Sequence, residues 1–129
     1  MPAPARKVTI AKEIDFAASH HLYPGSGVEH CERNHGHNWV VKAYLRTVKT
    51  QGSISKSYGD IKRDLMELVH ARWDHSDLNE DHVNFGPLIP PTCENVASTI
   101  FEMLQERDAR YIKVEVWENY PNNYCCVEV

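Results

Sequence analysis

From Val8 to Ala18 the chain alternates, with Val8, Ile10, Lys12, Ile14 and Phe16 on one face. A period of two over this length predicts a first strand, with His20 just past its end. Tyr23-Pro24-Gly25-Ser26-Gly27 is turn chemistry, so residues 21–34 form a long connection. Connections of that length in a small domain are often functional. Alternation resumes from His35 to Val48, where Trp39, Val41, Ala43 and Leu45 keep the parity of His35 and His37. Two such strands are expected to pair antiparallel and gather His20, His35 and His37 at one end.

After Gln51-Gly52-Ser53 the period lengthens. Ile61, Leu65, Leu68 and Val69 make an apolar stripe from Gly59 onward, which predicts a helix fading near Trp73 to Asn79. Asp60, Lys62, Arg63, Asp64 and Glu67 are read as its solvated side. Phe85-Gly86-Pro87 and Pro90-Pro91 mark a loop. Thr92 then has the chemistry of an N-cap, with Glu94 in the first turn where an acid suits the helix dipole. Val96, Ile100, Phe101 and Leu104 are the buried stripe of this second helix. Tyr111 to Trp117 alternates as a third strand, and Tyr120-Pro121-Asn122-Asn123 turns it into a fourth from Tyr124 to Val129. The order ββααββ predicts an α+β fold, a four-stranded antiparallel sheet with two helices on one face. Sheet edges left open invite pairing between subunits.

Composition narrows the class. At 129 residues the chain is expected to be one domain (1–129) with a real core, residues 1–7 forming a flexible start. The formal net charge is −4 and no basic run occurs, so neither nucleic acid nor a membrane surface is an expected partner. The start lacks the apolar segment of a secretory signal, and no apolar run approaches the roughly 20 residues of a membrane span. Cys125 and Cys126 are adjacent among only four cysteines, a poor disulfide framework. Reduced thiols in a cytoplasmic protein are the expectation.

Candidate chemistry centres on Cys31-Glu32-Arg33-Asn34-His35-Gly36-His37-Asn38. Side chains two apart on a strand share a face, so His35 and His37 form one claw. A third imidazole from the neighbouring strand completes the ligand set of a catalytic zinc with an open fourth position. The competing reading makes each of these a surface or core histidine. Cys31 is a fourth ligand on this reading, or a nucleophile or base beside the metal. Asp74-His75 follows the first helix; a histidine held by an aspartate makes a tuned base, or else a solvated helix end. Glu118 breaks the apolar parity of the third strand, either to grip the N–H groups of a heterocycle or as an ordinary strand-end acid. His21, His30, His70 and His82 read as surface or loop residues.

Five segments fall in an order that resembles the 6-pyruvoyltetrahydropterin synthase / 6-carboxytetrahydropterin synthase family. They are Phe16-Ala17-Ala18-Ser19-His20, Cys31 with His35-Gly36-His37-Asn38, Asp74-His75 with Leu78-Asn79, Pro91-Thr92-Cys93-Glu94-Asn95-Val96-Ala97, and Glu118. The resemblance runs from about residue 8 to the C-terminus. It implies the T-fold, whose subunits join their sheets into a barrel, usually a hexamer made of two trimers. It implies Zn2+ held by His20, His35 and His37, with 7,8-dihydroneopterin triphosphate as substrate. Cys31 would move protons on the substrate side chain, with Asp74 and His75 as its relay. Glu118 would anchor the pterin, helped by Thr92 and Cys93, in a pocket between subunits. Three residues between Cys31 and His35 resemble the bacterial carboxy enzymes of queuosine synthesis. His37-Asn38 followed by an aromatic resembles the pyruvoyl enzymes of biopterin synthesis. A silent pterin-binding T-fold protein is the alternative of another class. Two departures from the pattern stand out, Ser57 where an acid is usual in the segment 53–58 and Cys93 where Thr or Ser is common.

Overall fold

The structure, a computed structural model, describes residues 4–53 and 56–129. Met1, Pro2 and Ala3 of the expected flexible start, and Ile54 and Ser55 of the segment before the first helix, lie outside the described residues. Strand β1 (Arg6–His20) pairs antiparallel with β2 (His35–Lys49) along its full length. Arg6 and Lys7 of the expected tail already stand opposite Lys49 and Val48. His20 is the last residue of β1 rather than a loop residue, directly across from His35.

Ser57 caps α1 (Tyr58–Leu65). Its hydroxyl accepts from the Asp60 backbone N–H, and the Asp60 carboxylate accepts from the Ser57 N–H, a reciprocal capping box. The departure at Ser57 therefore keeps the helix start in order. A π-helical turn (Met66–His70) carries α1 into a last turn, α2 (Ala71–Trp73). One expected feature is corrected here. Asp64 is not on the solvated side; it is 4 % exposed and faces Tyr111 and Lys56. It sits three residues from Ile61, within the stripe that packs on the sheet.

Beyond α2 the chain forms β3 (Ser76–Asp77), two residues parallel to Ala18 and Ser19 of β1. The sheet is thus mixed, β3-β1-β2-β4-β5 among the described residues, rather than four antiparallel strands. A two-residue strand is too short to show a period; tertiary bonds make it, led by the His75 N–H donating to the Ala17 carbonyl at 2.6 Å. Thr92 caps α3 (Cys93–Arg107) by accepting from the Asn95 N–H. Strands β4 (Tyr111–Asn119) and β5 (Asn123–Glu128) complete the sheet as an antiparallel pair.

The helices cover one face of the sheet. Trp39, Val41, Ala43, Leu45, Val114 and Val116 meet Ile61, Leu65, Val69, Val96, Ile100 and Leu104 in one cluster of buried side chains. His35 and His37 continue the parity of Trp39, so they share the covered face at the end of β2. No helix among the described residues is long and apolar enough to cross a membrane.

Candidate metal centre

The β1–β2 register brings His20 against His35 and places Ala18 opposite His37. The three rings stand edge to face, with centroids 4.6 Å apart for His20–His35, 5.1 Å for His20–His37 and 4.9 Å for His35–His37. Below them Trp39 closes the cluster against the core, 5.0 Å from the His20 ring. Glu118 enters from β4, because Val40 pairs with Trp117 and carries the next residue onto the histidine face. Its Oε1 lies 2.8 Å from His20 Nε2 and 3.4 Å from His37 Nε2. One ligand atom from each of these four residues falls within 4.8 Å of the others.

Whether these residues fit a metal is decided by what their other nitrogens do. His20 Nδ1 is 2.8 Å from the Pro91 carbonyl, and His35 Nδ1 is 2.7 Å from the Arg33 carbonyl. A carbonyl only accepts, so both Nδ1 atoms carry a proton, and Nε2 is the nitrogen of each ring left to meet a metal. Nε2 of His20 and of His37 are buried and make no aligned hydrogen bond, Glu118 being close but off axis. Burial, with smaller effects of His20 and His35, holds the His37 imidazole below its usual pKa against the pull of Glu118. That favours the neutral, ligating form. Glu118 is also held low, chiefly by the His20 contact and against the effect of its own burial. Three imidazoles and a carboxylate are a donor set suited to zinc, at about 2.0–2.2 Å per bond. The residues present fit the metal.

The Asp74–His75 pair is formed. Asp74 Oδ1 accepts from the Ala17 N–H at 2.9 Å, and Oδ2 accepts from His75 Nδ1 at 2.7 Å. These bonds, the backbone one first, hold the Asp74 carboxyl below the usual range. His75 has φ of +60°, uncommon for a residue with a side chain, and presents an exposed ring. It lines an open depression of about 460 Å³ together with His37, Asn38 and Ser76.

The other expected site residues are less tightly gathered. Cys31 ends a 3₁₀ turn (Glu29–Cys31), half-buried and outside the four-residue donor group. Within one chain nothing brings its thiol to His75 among the contacts of the described residues. Thr92 spends its hydroxyl on the helix cap and lines a second hollow with Tyr23 and Pro90. Cys93 turns toward Val116 and Cys125. Glu118, expected to anchor a heterocycle, stands with the histidines.

Sequence reading named three further residues without giving them a role at the site. Asn79, 6 % exposed, holds the end of β1 by accepting from the His21 N–H at 2.9 Å and donating to the His21 carbonyl at 3.1 Å. Pro91 fixes the His20 tautomer through its carbonyl. His70 lies 3.4 Å from Asp74 Oδ2, a second imidazole on the relay acid. Asn79 carried a signal, an amide directly after an apolar residue in a helix-end loop, and His70 stands four residues before Asp74; only the Pro91 contact joins residues distant in the chain.

The model of the 6-pyruvoyl tetrahydropterin synthase family matches residues 9–129. A curated protein of Archaeoglobus fulgidus, named "Putative 6-carboxy-5,6,7,8-tetrahydropterin synthase", is 30% identical over 113 residues, 88% of this chain and 90% of that protein. The 6-pyruvoyl tetrahydropterin synthase of Caenorhabditis elegans superposes with a TM-score of 0.78 at 27% identity, covering 96% of each chain. The enzyme of that name from Plasmodium falciparum gives 0.70 at 17% identity over 95% of this chain and 98% of its own, a likeness of fold alone. The architecture is the α+β T-fold of these synthases.

Proposed function

We propose that this chain, which belongs to the 6-pyruvoyl tetrahydropterin synthase family, is a zinc-dependent 6-carboxy-5,6,7,8-tetrahydropterin synthase. On this reading it is a cytoplasmic lyase that converts 7,8-dihydroneopterin triphosphate to 6-carboxytetrahydropterin, acetaldehyde and triphosphate, as in queuosine synthesis. The observation that carries the reading is the convergence of His20, His35, His37 and Glu118 at the end of the β1–β2 pair, in a chain that also forms the Asp74–His75 pair. The name of the Archaeoglobus relative and the three-residue spacing from Cys31 to His35 favour the carboxy branch. The pyruvoyl synthase of biopterin synthesis is the second reading, favoured by the likeness to the Caenorhabditis structure.

His20, His35 and His37 would hold the metal, the first two through Nε2. Zinc bound there supplies Lewis acidity toward the hydroxyls of the substrate side chain. Asp74 keeps the proton of His75 on Nδ1, which leaves Nε2 as the atom that accepts one from substrate or thiol. Cys31 takes and returns a proton on the side chain. Glu118 anchors the pterin through its carboxylate, from a position beside the metal edge that its contacts with His20 and His37 support. Thr92 and Cys93, at the N-terminus of α3, are placed at the pterin wall. Because Cys31 stands apart from His75 within one chain, the reading includes a homo-oligomer, a hexamer of two trimers, with the pocket between subunits.

Mass spectrometry of the zinc-loaded protein's products tests the assignment. Carboxytetrahydropterin with acetaldehyde is expected. Pyruvoyltetrahydropterin would move the protein to the other branch, and absence of turnover would leave a pterin-binding protein. Cys31→Ala is expected to lower turnover by roughly 10²–10⁴-fold, the usual worth of a positioned acid–base group. Its zinc content should be unchanged; loss of zinc as well would make Cys31 a ligand.

A further inference from the structure

Two thiols outside the histidine cluster are in contact. Cys93 opens α3 and Cys125 lies in β5, and their sulfur atoms are 3.3 Å apart. The pair is ordered as a relay, the Cys125 thiol donating to Cys93 Sγ and the Cys93 thiol donating to the Val116 carbonyl at 3.4 Å. Register explains why Cys125 and not its neighbour is chosen. Val116 pairs with Cys125 on the covered face, whereas Glu115 pairs with Cys126 on the opposite one. Adjacent strand residues point apart, so Cys126 cannot reach Cys93.

We propose that Cys93 and Cys125 are a modification site, a reversible disulfide that fastens the first turn of α3 to the edge strand β5. A disulfide needs its sulfurs about 2.05 Å apart, so closure asks for an approach of about 1.2 Å, within reach of side-chain rotation. Both thiols are half-buried, and β5 is the outer strand of the sheet among the described residues, which admits a small oxidant from the side. Contact with Cys93 holds the Cys125 thiol below its usual pKa, while contact with Cys125 and then burial push Cys93 up. Cys125, on the outer strand β5, is the thiol a small oxidant meets first and is the first nucleophile.

The oxidant is a low-molecular-weight disulfide of the glutathione class. The Cys125 thiolate attacks one of its sulfurs, forming a mixed disulfide and releasing one small thiolate. Cys93 then loses its proton, attacks Cys125 Sγ and releases the second. The protein gives up two protons and two electrons, and the oxidant becomes two thiols; excess thiol reverses both steps. Closure removes the Cys93 bond to Val116, two residues before Glu118, and ties α3 to the sheet beside it.

The test is a peptide map of the whole protein after equilibration with oxidised and reduced glutathione and alkylation of free thiols. Tryptic peptides 73–107 and 114–129 are expected to appear joined, lighter by two hydrogens, and to separate on reduction. The link should persist in Cys126→Ser and vanish in Cys125→Ser. Oxidised wild type should melt roughly 5–15 °C higher than reduced, from the closed loop of about 30 residues. Glutathione adducts on both cysteines without a link, or a link lost in Cys126→Ser, would overturn the proposal. In the wild type, fragment ions that place the alkylated cysteine at Cys126 decide the pairing even where a variant folds poorly.

Discussion

His37→Ala protein is expected to keep its fold, lose its bound zinc and fall in turnover by about 10³-fold or more. The expectation rests on what each imidazole contributes. His20 and His35 have their second nitrogens fixed by the carbonyls of Pro91 and Arg33, so their Nε2 atoms are aimed before any ion arrives. His37 supplies the third direction and is kept neutral by burial. Without it two imidazoles and Glu118 remain, one donor short of the four-residue set. Folding should survive, because the His37 side chain is 23 % exposed and the Trp39 beneath it keeps its packing. Metal content by mass spectrometry and turnover, with circular dichroism as the check on folding, make the measurement. Full zinc occupancy with turnover intact would remove His37 from the ligand set.

The histidine claw was readable in the sequence because strand parity is a local property. His35, Gly36 and His37 before an alternating apolar run need no knowledge of the rest of the chain. The Thr92 cap and the two helices were legible for the same reason. Glu118 was visible as a break in parity, yet its partners were not. The β2–β4 register decides that the residue after Trp117 meets His20 and His37, and period two gives a face but not a neighbour. Strand β3 likewise arises from tertiary contacts, whereas His70 stands one helical turn before Asp74, a local spacing. Cys93 and Cys125 are separated by a helix and a strand, so neither motif nor spacing announces their contact. Asp64 differs. It lies three residues from Ile61 and four from Leu68, and a carboxylate on an apolar stripe is itself a sign of a buried ionic partner.

That partner network underlies the largest stability effect expected here. Asp64 Oδ2 accepts from the Tyr111 hydroxyl at 2.6 Å and from Lys56 Nζ at 2.5 Å, while Oδ1 accepts from Arg107 at 3.3 Å. Lys56 also reaches Asp108 at 3.2 Å and lies over the Tyr111 ring. One carboxylate thus joins the segment before α1, helix α3 and strand β4. Asp64→Ala leaves Lys56 with a single partner and strands the Tyr111 hydroxyl in the core. Breaking such a buried pair costs about 3–5 kcal/mol, or roughly 10–20 °C in melting temperature for a domain of this size. Burial opposes ionisation of Asp64, but the bonds from Lys56 and Tyr111 hold its carboxyl below the usual range. Asp108 is lowered too, chiefly by Arg110. A carboxyl lowered in the folded state stabilises fully above its unfolded pKa, near 4, and loses that contribution as pH falls through the folded value. Histidine titration is common to both proteins and cancels in their difference. The stability gap between wild type and Asp64→Ala should therefore be constant above about pH 5 and close as pH falls below about 4. Urea melts from pH 3 to 8 measure it. A gap that stays open in acid would mean that Asp64 stabilises through packing rather than through its charge.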